Sequence, residues 1–218
     1  MFLTLPQSSS DCCALVLAPH TDDGEFACGG TIVRLLAESW DVKYVAFSSC
    51  EESVPDGYPK DILQREVQAA VGKLGIPKDN LFLHRFPVRR FPEFRQDILE
   101  VMVELNQRFS PTLVLLPSTH DTHQDHNVIS TEGFRAFKKT SILGYELPWN
   151  NLTFSTQGFV VLEETHLRKK IEALKCYESQ AGRGYANESL IRSLAMTRGT
   201  QIGCQYAEVF EIVRWIMQ

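Results

Sequence analysis

The chain is expected to fold as a Rossmann-like, three-layer α/β/α domain on a mostly parallel sheet. Three observations carry that expectation. Apolar runs of strand length at residues 13–18 and 112–116 show no polar alternation, as in strands covered on both faces. Segments with helical periodicity stand between the strands, the βαβ order of a parallel sheet with right-handed crossovers. The 218 residues suffice for one large domain and are short for two, so residues 1–218 are read as a single domain.

The elements follow in order. After the strand at 13–18, residues 24–38 read as a helix with Ile32, Leu35 and Leu36 on one side. A second strand spans 42–47. Over 62–74, Val67, Ala70, Val71 and Leu74 recur at helical spacing; Gly75 ends that helix and Pro77 follows. Residues 81–83 form a short third strand. The helix at 92–109 is strongly amphipathic, with Phe94, Ile98, Val101, Met102 and Leu105 inward. The strand at 112–116 precedes a helix at 127–139 and a strand at 142–146. The last third is less regular. It reads as a strand at 158–162, a helix at 163–178, a loop at 179–184 and a helix at 187–197. Residues 207–213 fit either a strand or the start of a terminal helix. No repeat, low-complexity tract or linker interrupts the chain.

Composition narrows the classes. Hydrophobic residues at 44% support a full core. A formal net charge of −5 argues against non-specific nucleic-acid binding. No run reaches the roughly 18 apolar residues of a membrane span. The opening residues, MFLTLPQSSSD, lack the basic and apolar regions of a secretory signal. Six cysteines without a CxxC pair read as reduced thiols, which points to the cytoplasm. Homo-oligomerisation stays open.

Two stretches carry the chemistry. His20-Thr21-Asp22-Asp23-Gly24-Glu25 follows the first apolar strand, and His120-Asp121-Thr122-His123-Gln124-Asp125-His126 follows a later one. Open α/β sheets place ligands at the carboxyl ends of such strands. On the bland reading, an aspartate caps the helix near Gly24 and the second stretch is a solvated polar loop. Their joint placement favours a divalent-metal site that keeps a position open for water. His20, Asp23 and His126 are the best ligand set, with zinc the default and iron(II) also suited. Asp22 is then free to act as general base toward a metal-bound water nucleophile. His123 can donate to an oxyanion and protonate a leaving nitrogen, with Asp125 holding its tautomer. Cys28 as a fourth ligand is weaker than a buried helix position. No dinucleotide or Walker A fingerprint is present.

At these residues the chain resembles the LmbE-like, PIG-L-type N-deacetylases. Their first motif, HPDDxExGxGG, corresponds to His20 through Gly30, with Thr21 in place of proline. Their HxDH motif stands as His123-Gln124-Asp125-His126. The resemblance implies zinc held by His20, Asp23 and His126, Asp22 as base, and removal of acetyl from an N-acetylglucosamine-type substrate. It also implies an arginine for the substrate, nearest at Arg65, with Arg90 as a second candidate. Trp149 and its neighbours could form a sugar platform or a packed turn. Two other readings compete: a mononuclear non-haem iron oxygenase using the same ligands, and an idle carbohydrate-binding member.

Overall fold

The structure, a computed structural model, describes residues 12–183 and 187–217. The opening residues and Gly184 of the expected 179–184 loop lie outside them. Strand β1 (Cys13–Ala18) leads into helix α1 (Asp23–Ala37), then β2 (Asp41–Ala46), α2 (Ile62–Leu74), β3 (Leu81–Leu83) and α3 (Arg95–Phe109). Next come β4 (Leu113–Pro117), α4 (Gln124–Ala136), β5 (Ser141–Tyr145), β6 (Gly158–Leu162), α5 (Glu164–Leu174), α6 (Glu188–Gln201) and β7 (Tyr206–Arg214). The seven strands form one sheet in the order β3-β2-β1-β4-β5-β7-β6. The first five strands in the chain pair in parallel. β7 runs antiparallel between β5 and β6, which settles 207–213 as strand.

The missing alternation in β1 has a direct cause. Ala14, Val16 and Ala18 belong to one core cluster, with Ile32 and Leu35 of α1, Val67 of α2, Ile171 of α5 and Ile191 of α6. Cys13, Leu15 and Leu17 belong to the other, with Ile98 and Met102 of α3 and Val128 and Ile129 of α4. Both faces are dry, so both need apolar side chains. This is the three-layer arrangement expected.

Several boundaries differ from expectation. The first turn at 92–109 is a 3₁₀ turn, Phe91–Phe94, and α3 begins at Arg95. α4 begins three residues early, because the His123 ring accepts from the Asp125 N–H and caps it. α5 is shorter than 163–178, and Glu178–Gln180 is a separate 3₁₀ turn. Gly75 ends α2 at φ +101, a conformation open to glycine.

β7 also braces the site. Glu208 accepts from Gly30 N (3.0 Å), Thr31 N (2.6 Å), the Thr31 hydroxyl (2.6 Å) and Lys170 Nζ (2.6 Å). It thereby caps α1 just past the break at Cys28, where φ is −132°. Glu211 accepts from Ser118 Oγ (2.7 Å), Thr119 N (2.9 Å) and the Thr119 hydroxyl, fixing the loop after β4. Among the described residues, no helix is long and apolar enough to cross a membrane.

Candidate active site

β1 and β4 are neighbours at the centre of the sheet, and the strand order diverges from them: β2 and β3 on one side, β5, β7 and β6 on the other. Their carboxyl ends open the crevice where such sheets bind ligands. His20 and Asp23 sit after β1; Asp121, His123 and His126 sit after β4.

Three donor atoms converge there. His20 Nδ1 lies 3.2 Å from Asp23 Oδ2, and His126 Nε2 lies 3.3 Å from the same oxygen. The two ring nitrogens are 3.3 Å apart. A tetrahedral zinc with ligands at about 2.0–2.1 Å has edges of roughly 3.3–3.4 Å. The residues present therefore fit such an ion in chemistry and spacing. The outward ring nitrogens are also supported. His20 Nε2 meets Asp125 Oδ2 at 3.0 Å, and His126 Nδ1 meets Asp121 Oδ2 at 2.8 Å. Carboxylates behind ligating histidines fix ring orientation and raise basicity.

His20, His123 and His126 also bring one ring nitrogen each within 4.8 Å of one another. Two overlapping donor sets thus share His20 and His126. The set completed by Asp23 is tighter, and His123 Nδ1 is already engaged by the Asp125 N–H at 3.1 Å.

The electrostatics agree with a cation site. Burial opposes charge on His126, yet Asp23 and Asp121 raise it to about 10. Burial likewise opposes charge on His20, and Asp125 and Asp23 raise it. Burial pushes Asp23 up, but His126 and His20 hold it well below the usual carboxylate range. Such a concentration of negative potential favours a divalent cation. Asp22 is raised, first by burial and then by the charge of Asp23. It stands at the N-cap of α1 without making a capping bond, so its carboxylate faces the cavity uncommitted to the helix. His123 is lowered to about 4 by burial and then by His126 and His20. With Nδ1 accepting from a backbone N–H, neutral His123 carries its proton on Nε2.

Three expectations need correction. The Asp125 carboxylate does not hold His123. It is taken up by His20 Nε2, the Arg89 N–H (2.6 Å) and the Phe91 N–H (3.1 Å), and only its backbone N–H meets His123. Arg65 lies on the exposed side of α2, paired with Asp61 at 2.6 Å, and does not line the cavity. Arg90 is exposed and paired with Glu93 at 2.5 Å, also outside it. Arg89 and Arg183 line the cavity instead. Cys28 donates to Gly24 O at 3.2 Å from a fully buried position, which removes it as a ligand.

The cavity holds about 260 Å³. Asp22, Asp23 and the three histidines form its polar wall, and Phe26, Leu63, Val88 and Trp149 its apolar one. Trp149 is 41% exposed and meets Phe26 edge to face at 4.4 Å. Under the first loop lies a residue pair that sequence reasoning missed. Tyr177 OH lies 2.8 Å from Glu25 and 2.7 Å from the Thr21 carbonyl. Tyr44 OH contacts the same carboxylate and lies 3.0 Å from the same carbonyl. Burial above all lifts Glu25 to about 8. Gly24 is required beside it: a β-carbon there would lie 2.6 Å from the Tyr44 ring. Asp121 was also missed. Nothing in the sequence distinguishes it from Asp125 as the partner of a given histidine.

A family profile described as PIG-L: GlcNAc-PI de-N-acetylase matches residues 15–137, more than half of the chain. YaiS of Escherichia coli strain K12, described as an uncharacterized deacetylase, is 27% identical over 173 residues, covering 76% of this chain and 90% of that protein. The N,N'-diacetylchitobiose deacetylase of Pyrococcus horikoshii superposes with a TM-score of 0.77 at 20% identity, covering 92% of this chain and 83% of that one. GalB of Pseudomonas putida KT2440, a 4-carboxy-2-hydroxymuconate hydratase, also gives 0.77 at 20% identity, over 95% and 98%. At these identities the structural likenesses speak for the fold.

Proposed function

Because the chain belongs to the PIG-L deacetylase family, we propose that it is a single-domain, metal-dependent N-deacetylase of an N-acetylated amino sugar. The observation that carries the reading is the triangle of His20, Asp23 and His126, backed by Asp125 and Asp121, with Asp22 beside it. These three would hold the metal, zinc by default, with iron(II) also accommodated. When bound, the metal would polarise the acetamide carbonyl and make water acidic enough to attack near neutral pH.

The chain's own groups complete the reaction. The Asp22 carboxylate accepts the proton of the attacking water. The His123 Nε2–H donates a hydrogen bond to the carbonyl oxygen as charge develops on it. The proton gathered on Asp22 is then available to the departing amine, so one carboxyl serves both halves of the reaction. The engaged Nδ1 favours His123 as a hydrogen-bond donor over the proton donor expected from sequence. The open face of Trp149 supports a sugar ring in the cavity. All six cysteines are free thiols, which supports a reducing compartment, the cytoplasm.

The test is acetate release from a panel of free, nucleotide-linked and glycosidic N-acetyl sugars, with and without added metal. Metal-dependent acetate release is expected. Hydration of an unsaturated acid, as GalB's description suggests for that protein, or consumption of oxygen, in place of acetate release would refute the proposal.

A further inference from the structure

Resting on the deacetylase reading, we infer that Tyr177 is a positioning residue for the proposed base: by holding the Thr21 carbonyl it sets the direction of the Asp22 carboxylate. Asp22 and Asp23 are fixed by different means. Asp23 Oδ2 accepts the His20 N–H at 2.9 Å and meets the His20 and His126 rings. Asp22 stands at the N-cap of α1 without a capping bond, so the helix that follows does not aim it. The backbone that leads into it must do so. The Thr21 carbonyl belongs to the same planar peptide as the Asp22 N–H, so fixing the carbonyl fixes the plane from which Asp22 departs. Thr21 also stands where the resembled motif has proline, whose ring would set φ. A neighbour has to supply that restraint.

Two tyrosines from distant parts of the chain meet that carbonyl. Tyr177 OH lies 2.7 Å from it and Tyr44 OH 3.0 Å, and both hydroxyls contact the Glu25 carboxyl. Each hydroxyl brings a single proton. Thr21 is buried, and a buried carbonyl left without a donor is costly, so one proton goes to Thr21 and the other to Glu25. The shorter approach gives the carbonyl to Tyr177. Tyr44 then donates to Glu25 and accepts the Gly24 N–H at 3.1 Å.

The Tyr177 hydroxyl is itself held in place. The residue is buried between the end of α5 and the 3₁₀ turn at Glu178–Gln180. Two residues on, the Ser179 N–H and hydroxyl donate to the buried Glu66 carboxylate of α2 at 2.8 and 2.6 Å. The donor is thus tied to a second helix. Tyr177 does not line the cavity, so its route to the reaction runs through the loop that carries Asp22.

Tyr177→Phe removes one oxygen and keeps the ring. With acetate release from the metal-loaded protein as the assay, it should lower kcat roughly ten- to a hundredfold, as for a misplaced reacting group. KM and metal affinity should stay near wild type. The loss should vanish in the Asp22→Asn background, because a residue that works through Asp22 then has nothing left to position. Ser179→Ala loosens the segment under Tyr177. It should give the same pattern more weakly, and it decides the matter if Tyr177→Phe does not fold. An unchanged kcat, an equal loss in the Asp22→Asn background, or metal binding weakened in step with kcat overturns the inference and leaves the deacetylase reading standing. If no sugar in the panel releases acetate, that reading fails for these sugars, and hydrogen exchange at the Asp22 amide decides the inference alone. Faster exchange at Asp22 and not in β1 in the variant supports it; equal exchange, or faster exchange in both alike, overturns it.

Discussion

Removing the carboxylate of Asp121 should loosen the metal while leaving every proposed ligand in place. Its Oδ2 meets His126 Nδ1 at 2.8 Å, and its Oδ1 accepts the His123 N–H at 2.8 Å. His126 is 1% exposed, so water does not reach the stranded ring nitrogen. A buried donor left without a partner costs about 1–3 kcal/mol. At about 1.4 kcal/mol per tenfold, Asp121→Ala should weaken metal binding roughly ten- to a hundredfold, the usual range for such outer partners. Asp121→Asn keeps an oxygen toward the ring and loses only the charge, so its loss should be smaller. Competition with a chromophoric chelator measures both affinities, and circular dichroism checks that the fold persists. The reasoning is refuted if Asp121→Ala stays folded and binds metal as tightly as the wild type, or if the two variants rank in the opposite order.

Other outcomes follow from the same geometry. His126→Ala should stay folded yet lose its metal by elemental analysis; full occupancy would sink the ligand set. Asp22→Asn should retain the metal and lose about a hundredfold or more in turnover, as for a missing general base; near-normal acetate release would assign the proton elsewhere. His123→Ala should remove about 2–4 kcal/mol of transition-state stabilisation, felt in kcat more than in KM, and a pure KM effect would contradict an oxyanion role. Glu25→Ala should lower thermal stability by about 2–5 kcal/mol, because it leaves a buried void and two tyrosine hydroxyls short of a partner. Glu25→Gln should restore most of that loss, and equal melting temperatures for the two variants would argue against the network.

The strands were legible because burial on both faces leaves a clear mark: β1 and β4 are apolar throughout. The donor set was legible because ligand types cluster where strands end. What stayed hidden depends on backbone direction and distant pairing. The start of α4 was missed because histidine is not a usual capping residue, and His123 caps through its ring. Arg89 and Arg90 are equivalent in the sequence; the left-handed φ at Arg89 takes one into the cavity and leaves the other paired with Glu93. Asp121 and Asp125 could not be told apart, since which imidazole each backs is set by loop path. The place of β7 between β5 and β6 is a long-range pairing with no local signature.

The bracing by Glu208 and Glu211 bears on how such a protein can be recombined. The stretch that defines the family by similarity, residues 15–137, holds every proposed ligand, yet two of the carboxylates that brace it belong to the last strand. A chimaera joining residues 15–137 to the tail of a relative would inherit the donors without their scaffold unless acids recur at both positions. Transplanting this candidate site between homologues is therefore a two-piece operation, and the second piece is β7.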